Sequence, residues 1–196
     1  LTAFGAAAIR EAPPEPWSED LASVRTVAAL SDLWLGIEDH GPAVRLSLTS
    51  WRRLPNGLLC QDPRTGAERR LAADSELSVR LGSGIDLQAL VFARTERIPR
   101  ARLASVLARW TVSLATAASA RSASAPTAAL LVLTGTERGR ARILTAAQGV
   151  TGPHNRLAVG AVERGALVTD PLWRTAADEL DRRLVDVLAS MAEDGK

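Results

Sequence analysis

Three carboxylates stand in a segment of alternating apolar and polar residues that predicts a β-hairpin over 76–94. Asp74 and Glu76 open its first strand and Asp86 opens the second, so the three could form a loose cluster around a divalent cation. The simpler interpretation, which we favour, is that all three are solvated residues at the edges of the hairpin. The sequence therefore predicts neither a metal site nor a catalytic residue here.

Zinc or nucleophilic chemistry would depend on Cys60, His40 and His154, which are single residues without the close spacing of zinc ligands. A Cys–His nucleophile pair could be drawn from the same residues, but no flanking motif supports it. One cysteine also excludes an internal disulfide. We predict no cofactor.

Arginines around the strand-to-helix junction after the hairpin are the best candidates for contacts with nucleic acid, because guanidinium groups bind phosphates through two hydrogen bonds. The alternative is that they keep a helix face soluble, since every basic residue except the C-terminal lysine is an arginine, as GC-rich coding would give. The predicted nucleic-acid-binding residues are Arg94, Arg97, Arg100, Arg102 and Arg109.

The segment TGTERGRAR (134–142) lacks the GxxxxGK[ST] pattern and its lysine, so it is not a phosphate loop. A helix that begins after Thr136, with Arg138, Arg140 and Arg142 behind it, could still receive a phosphate at its N-terminus. The ordinary role of Thr136 as an N-cap is the favoured interpretation.

Charge is distributed unevenly along the 196 residues, although the net charge is only +2. Residues 41–169 carry 18 arginines against 8 acidic residues, whereas both ends of the chain are acidic. A basic middle fits a surface that faces a polyanion. Alternatively the arginines decorate solvated faces, because no aromatic residues are interleaved with them as a platform for single strands would require.

Periodicity predicts a flexible, Pro-rich lead-in over 1–17 and a single α/β domain over 18–196. Because the chain begins at Leu1, we allow for an N-terminal domain that is missing from it. No apolar run approaches the length of a membrane span.

The predicted elements alternate between helical and strand periods. In chain order, the first half has a helix over 19–38 with Ser18 as N-cap, a strand from Val44 to Leu48, a turn at 55–57, a strand over 58–60 and a polar loop over 61–70. The hairpin 76–94 follows, then a helix after Pro99 through Leu114, a buried strand over 128–133 and a helix over 137–148. The last elements are a strand over 157–162, a short strand near Val168, and a final helix with Leu180, Leu184, Val187, Leu188 and Met191 on one side.

This order makes a mixed-sheet α/β (α+β) fold. The αβββαβ run within it is the core arrangement of restriction-endonuclease-like nucleases, here with flanking helices.

Three segments resemble the replication-relaxation family, whose members are encoded near replication and mobilisation genes on actinobacterial plasmids and integrative elements. Together they span about residues 30–174. They are the helix LSDLWLGIEDHG (30–41) with a strand reaching Trp51, the hairpin ADSELSVRL and IDLQALVFARTER (73–97) with a helix ending near Arg109-Trp110, and ALLVLTG (129–135) with a late DPLW (170–173).

The resemblance implies a nuclease-like domain with a degenerate catalytic motif. The family's hairpin carries one acid, then acids in the second strand and a lysine in the next helix, which hold a metal ion and orient the attacking water. Asp74 takes the first position, but residues 91–93 are Val-Phe-Ala and the only lysine is Lys196. Asp86 and Glu96 stand at opposite ends of the second strand. The family's N-terminal winged helix has no counterpart, because residues 1–17 are too few.

We therefore expect a cytoplasmic, non-catalytic, DNA-associated accessory protein of plasmid or mobile-element replication or transfer. It would bind DNA weakly through the phosphate backbone or dock onto another replication or transfer protein. The alternative is a protein-interaction or scaffold module without nucleic acid, with Trp17, Trp51 or Trp173 as exposed anchors. A third alternative is an active nuclease with an unrecognised set of acids, whose strand scission Asp74→Ala would abolish.

Overall fold

The computed structural model describes residues 21–61, 65–71, 73–93, 98–119, 127–148 and 157–193. The lead-in over 1–17 and the predicted N-cap Ser18 lie outside these residues. Within the described part of the chain, no helix combines the length and the apolar character needed to cross a membrane.

The described residues form four α-helices and eight strands. The helices are α1 (Leu21–His40), α2 (Arg100–Ser119), α3 (Glu137–Gln148) and α4 (Leu184–Glu193). The strands are β1 (Leu46–Arg53), β2 (Leu58–Gln61), β3 (Glu68–Leu71), β4 (Ser75–Leu81), β5 (Asp86–Phe92), β6 (Thr127–Thr134), β7 (Leu157–Ala161) and β8 (Trp173–Thr175), and short 3₁₀ turns occupy Gly41–Val44 and Val162–Arg164.

Six of the strands form one mixed sheet in the order β1-β4-β5-β6-β7-β8. β4 runs antiparallel to β1 and β5, β5 to β7 are parallel, and β8 returns antiparallel to β7. The parallel pairs require long crossovers, which α2 and α3 supply. The predicted α/β fold with a mixed sheet is confirmed, and the hairpin predicted over 76–94 is the β4–β5 pair.

Helices cover both faces of this sheet, and β6 shows why the sequence requires it. Its residues are apolar without alternation, which is typical of a strand buried on both sides. Leu131 and Leu133 pack in the cluster that contains residues of α1 and α4. Leu130 and Val132 pack in the cluster that contains residues of α2 and α3. The domain is therefore a helix–sheet–helix sandwich.

The order αβββαβ is present as α1, β1, β4, β5, α2 and β6, with a separate two-stranded hairpin, β2–β3, inserted after β1. The prediction of a polar loop over 61–70 is wrong at its end, because Glu68–Leu71 is a strand that pairs with Leu58–Gln61. This strand is polar because it belongs to a small sheet with little apolar surface to cover. Alternation therefore could not reveal it. The predicted turn before β2 is confirmed, and Gly57 supplies its positive φ of 70°.

Two predictions near the C-terminus are wrong. Val168 lies in a turn rather than a strand, because the Asp170 carboxylate accepts a hydrogen bond from the Ala166 amide and closes the turn. The last strand is Trp173–Thr175 instead. Leu180 is 76% exposed and precedes the final helix, which begins only at Leu184.

The predicted role of Trp173 as an exposed anchor is also wrong. Its ring is fully buried and its indole N–H donates to the Leu167 carbonyl at 2.6 Å. The ring lies so close to Gly160 that a Cβ there would stand 3.1 Å from it. Trp51 is half-buried against the core, and Trp17 lies outside the described residues.

Candidate nucleic-acid interface and adjoining cleft

The five arginines predicted to contact nucleic acid fall on and before α2. Arg94 and Arg97 lie outside the described residues, and for Arg100, the first residue of α2, only the backbone is described. Arg102 and Arg109 are exposed on α2. The structure thus places two of the five side chains.

Arg102 and Arg109 share one solvent-facing stripe of α2, because residues seven apart lie two turns apart on the same side of a helix. Ser105 lies between them. Its hydroxyl donates to the Arg102 carbonyl at 2.8 Å, and the Nε of Arg109 donates to the Ser105 carbonyl at 3.3 Å. At 1.5 Å per residue the two arginine Cα atoms stand about 10 Å apart along the axis.

Packing explains why this stripe faces solvent. The apolar stripe of α2, with Leu103, Leu107 and Trp110, is buried against the sheet, so Arg102 and Arg109 fall on the other side. In the described part of the chain neither guanidinium meets a carboxylate. No side chain that the structure describes therefore neutralises their positive charge.

Other arginines lie beside the start of α2. Arg142 of α3 donates through Nη2 to the carbonyl of Ile98, just before the helix, at 3.3 Å. Arg70 of β3 and Ile98 both line a cleft between the β2–β3 hairpin and α2. Arg138 is exposed near the start of α3. The sequence did not group Arg70 and Arg142 with the arginines of α2, because only the fold brings these two residues near Ile98.

The N-terminus of α3 is already occupied by side chains of this chain. Thr136 Oγ1 accepts from the Gly139 amide at 3.1 Å, and Glu163 Oε1 accepts from the Glu137 amide at 2.6 Å. The N-cap prediction for Thr136 is confirmed. A phosphate at this helix end would have to displace the Glu163 carboxylate, so the phosphate alternative loses its support.

Arg140, which could have faced such a phosphate, points inward and is 0% exposed. Nη1 donates to the Leu172 carbonyl and to Asp181 Oδ1, both at 2.9 Å. Nη2 donates to Asp181 Oδ2 at 3.0 Å and to Glu137 at 2.8 Å. The guanidinium therefore joins α3 to the segment before α4.

The charges of this network are stabilised by one another. Burial disfavours the charged form of Arg140, but hydrogen bonds and charge from Glu137 and Asp181 outweigh burial and raise the pKa of Arg140. Burial also disfavours the charged form of Asp181. Its hydrogen bonds and charge interactions with Arg140 and Arg174 nevertheless lower the pKa of Asp181.

Two of the three hairpin carboxylates differ from the solvated edge residues that we predicted. Asp74 is 5% exposed and Glu76 is 8% exposed, because β4 lies inside the sheet between β1 and β5. Asp74 Oδ2 accepts from the Ala93 amide at 2.8 Å, and Glu76 accepts from Arg52 and Gln88.

The third hairpin acid is exposed, as predicted. The two oxygens of Asp86 accept from Arg80 Nε at 2.8 Å and from Arg80 Nη2 at 3.0 Å. The hydrogen bonds from Arg80 hold the pKa of Asp86 below its ordinary value.

The divalent metal that a nuclease-like site implies does not fit these residues. The pairing of Ser75 with Val91 places Phe92 beside Asp74, and Leu90 lies opposite Glu76. Both neighbours are buried and apolar. Among the described residues no group of three potential ligands could hold a metal ion. Glu76 already accepts from a guanidinium and an amide, so we derive no metal-dependent step.

A cleft of about 380 Å³ opens between the β2–β3 hairpin and α2, beside Asp74. Its walls combine apolar side chains with one acidic and one basic residue. The lining consists of Leu54, Pro55, Asn56, Gly57, Arg70, Ala73, Asp74, Phe92, Ile98 and Trp110.

Comparison of the chain with protein-family models, with curated proteins and with solved structures gives no match. Function must therefore be argued from the chemistry of the arginine stripe and the cleft.

Proposed function

We propose that this protein is a DNA-associated accessory protein that binds the phosphate backbone weakly and does not cleave it. The observation that carries the proposal is the stripe of Arg102 and Arg109, two exposed guanidinium groups that meet no carboxylate within the described residues. Such groups bind phosphates without first giving up an ion pair with a carboxylate.

The absence of cleavage is supported by the surroundings of Asp74. A hydrolytic metal centre requires oxygen ligands that converge on one ion. Here Leu90 of β5 stands opposite Glu76 in the register and Phe92 follows Val91, the partner of Ser75. The Glu76 carboxylate already accepts from Arg52 and Gln88. The proposed cellular setting, replication or transfer of a plasmid or mobile element in the cytoplasm, rests on the resemblance to the replication-relaxation family alone.

The test is binding of the chain to labelled duplex and single-stranded DNA over a range of salt concentrations with Mg²⁺ present, with a gel to detect cleavage. We expect salt-sensitive binding and intact DNA. The double variant Arg102→Gln/Arg109→Gln removes two phosphate contacts, so the slope of log affinity against log salt should become shallower by about 1.8.

The matched control is Arg80→Gln/Arg183→Gln, which removes the same charge from two exposed arginines that are already paired, with Asp86 and Asp186. It should leave the salt slope unchanged. A triple substitution of Arg94, Arg97 and Arg100 by Gln tests the remaining predicted residues in the same assay.

Absence of binding at low salt would overturn the proposal and favour the scaffold alternative. Equal losses in the test and control variants would show that net charge, rather than the α2 stripe, governs binding. Metal-dependent scission would contradict the non-catalytic assignment, and its survival in Asp74→Ala would place the reaction elsewhere in the protein.

A further inference from the structure

We infer that α1 is a self-association surface, through which two copies of this chain pair antiparallel about a two-fold axis. α1 and α2 lie on opposite faces of the sheet, so this surface is separate from the arginine stripe of α2. The inference therefore goes beyond DNA binding and does not rest on it.

α1 is apolar on two opposite sides. One side carries Leu30, Leu33 and Ile37, which are buried in the core. On the other side Val24 and Leu35 are 46% and 45% exposed. The solvent-facing side of a surface helix is ordinarily polar, so this second apolar side calls for a partner.

The residues of the second side form one continuous line, which we call the α1 stripe. Val24, Ala28, Ser31 and Leu35 follow one another at helical spacings of four, three and four residues. Val24, Ala28 and Leu35 are exposed and Ser31 is half-buried. Single exposed apolar residues are normal on a protein surface, whereas an aligned set is typical of a contact with another protein.

The sizes of the residues along the α1 stripe fit a second copy of the same stripe. Its ends, Val24 and Leu35, are large, and its middle, Ala28 and Ser31, is small. In an antiparallel pair that sets Val24 of one copy opposite Leu35 of the other, Ala28 lies opposite Ser31. The small middle residues let the two helices approach closely, so that the large ends can interdigitate. The two-fold axis repeats each of these contacts.

The charges beside the α1 stripe are complementary in the same register. Arg25 and Asp32 lie on one flank of the stripe, seven residues apart, and both are exposed. Neither makes an ion pair within the described residues. A two-fold axis across an antiparallel pair brings the same flank of both helices together. Arg25 of one copy then stands about 3 Å along the axis from Asp32 of the other, and this contact occurs twice.

The opposite flank of the α1 stripe is apolar. Val27 and Trp34 lie there, and both are half-buried. The same register brings Val27 of one copy beside Trp34 of the other, and tryptophan is enriched in protein interfaces. A parallel pair would instead bring the charged flank of one helix to this apolar flank of the other. Charge complementarity therefore selects a second copy in the antiparallel orientation.

The test is sedimentation velocity of the full chain over a range of concentrations. We expect a dimer that dissociates on dilution. Leu35→Lys should weaken dimerisation by about a hundredfold or more, because both copies lose an apolar end of the stripe and gain a charge there. The matched control is Leu59→Lys, which places the same charge at a leucine of β2 that is 54% exposed. It should leave the dimerisation constant unchanged.

Charge reversal tests the orientation of the two helices. Arg25→Glu and Asp32→Arg each place like charges at both contacts, so each should weaken the dimer by about tenfold. The double variant Arg25→Glu/Asp32→Arg restores opposite charges and should recover the association of the wild-type chain. All of the substituted side chains are exposed, so the variants should fold, which circular dichroism verifies.

Three outcomes would overturn the inference. A chain that stays monomeric up to about 1 mM would leave the α1 stripe to a partner of another sequence. A dimer that Leu35→Lys does not weaken would have its interface elsewhere. A double charge-reversal variant that associates no better than its two single variants would contradict the antiparallel pairing.

Discussion

Arginines serve opposite purposes in two regions of this protein. In the ionic network that joins α3 to the segment before α4, Arg140 and Arg174 both bind the carboxylate of Asp181. On the solvent-facing stripe of α2, Arg102 and Arg109 meet no carboxylate within the described residues. The first region uses guanidinium groups to hold the chain together, and the second leaves them available to an outside anion.

The position of each arginine relative to its helix's apolar stripe explains the difference. Arg140 precedes Ile143, Leu144 and Ala147 by three, four and seven residues, so it lies on the buried face of α3. There its charge must be paired, because an uncompensated buried ion is very costly. Arg102 and Arg109 lie outside the buried stripe of α2. Water solvates their charge there, so no carboxylate is needed to compensate it.

The largest effect should come from breaking the buried network. Arg140→Met removes a fully buried guanidinium and leaves Asp181 without its bidentate partner. We expect a loss of about 3 kcal/mol in the free energy of unfolding, measured by urea denaturation, which is the lower end of the range for breaking a buried ion pair because Arg174 still binds Asp181. The neighbouring exposed position provides the control, because Arg138→Met should change stability by less than about 0.5 kcal/mol.

Similar losses for Arg138→Met and Arg140→Met would contradict the comparison, since the ionic network would then contribute nothing specific. A sharper version adds Asp181→Leu to Arg140→Met. Removing both charges should recover part of the lost stability, because the second substitution eliminates the carboxylate that the first one left behind.

Some elements of this fold have a signal in the local sequence and could be predicted from it. The apolar run of β6, the alternation of β4 and β5 and the cap at Thr136 are local signals, and each gave an element that the structure confirms. The inward direction of Arg140 was also readable, because it shares the spacing of Ile143 and Leu144. The alternative that placed Arg138, Arg140 and Arg142 together behind a phosphate is wrong for Arg140, which is buried.

Other features depend on tertiary structure and had no local signal. Asp74 and Glu76 are buried because β1 pairs with the outer side of β4. No residue of the hairpin itself indicates that a further strand will pair there. The cleft needs the β2–β3 hairpin to stand beside α2, and β3 is charged and short. Its lining, which includes Asp74 and Arg70, therefore comes together only in the fold.

A smaller effect is expected from acid, and its sign follows from Asp181. The folded-state pKa of Asp181 lies below its ordinary value of 3.8, although burial opposes this, because Arg140 and Arg174 bind the ionised form. Its ionisation therefore stabilises the fold above about pH 3.8, and this contribution is lost as the pH falls through the folded-state value.

The measurement compares the wild-type chain with Asp181→Asn by urea unfolding at pH 7 and at pH 3. At pH 7 the variant should be less stable by on the order of 2 kcal/mol, the range for hydrogen bonds to a charged group. At pH 3 the difference in the free energy of unfolding between the two chains should be smaller. A constant difference would mean that the contacts of Asp181 do not depend on its charge.

The smallest effect is expected at Arg80, which separates pairing from burial. Arg80 is paired like Arg140, through two hydrogen bonds to Asp86, but the side chains are 58% and 48% exposed. In water the attraction is screened and offset by the entropy of holding two side chains together. Arg80→Gln should therefore leave the urea midpoint unchanged within error, at both low and high salt.

A clear loss of stability at low salt that disappears at high salt would show that pairing with a carboxylate is enough to make an arginine stabilise the fold, even without burial. The contrast between the two regions would then rest on the presence of a carboxylate and no longer on the position of each arginine relative to the buried stripe of its helix.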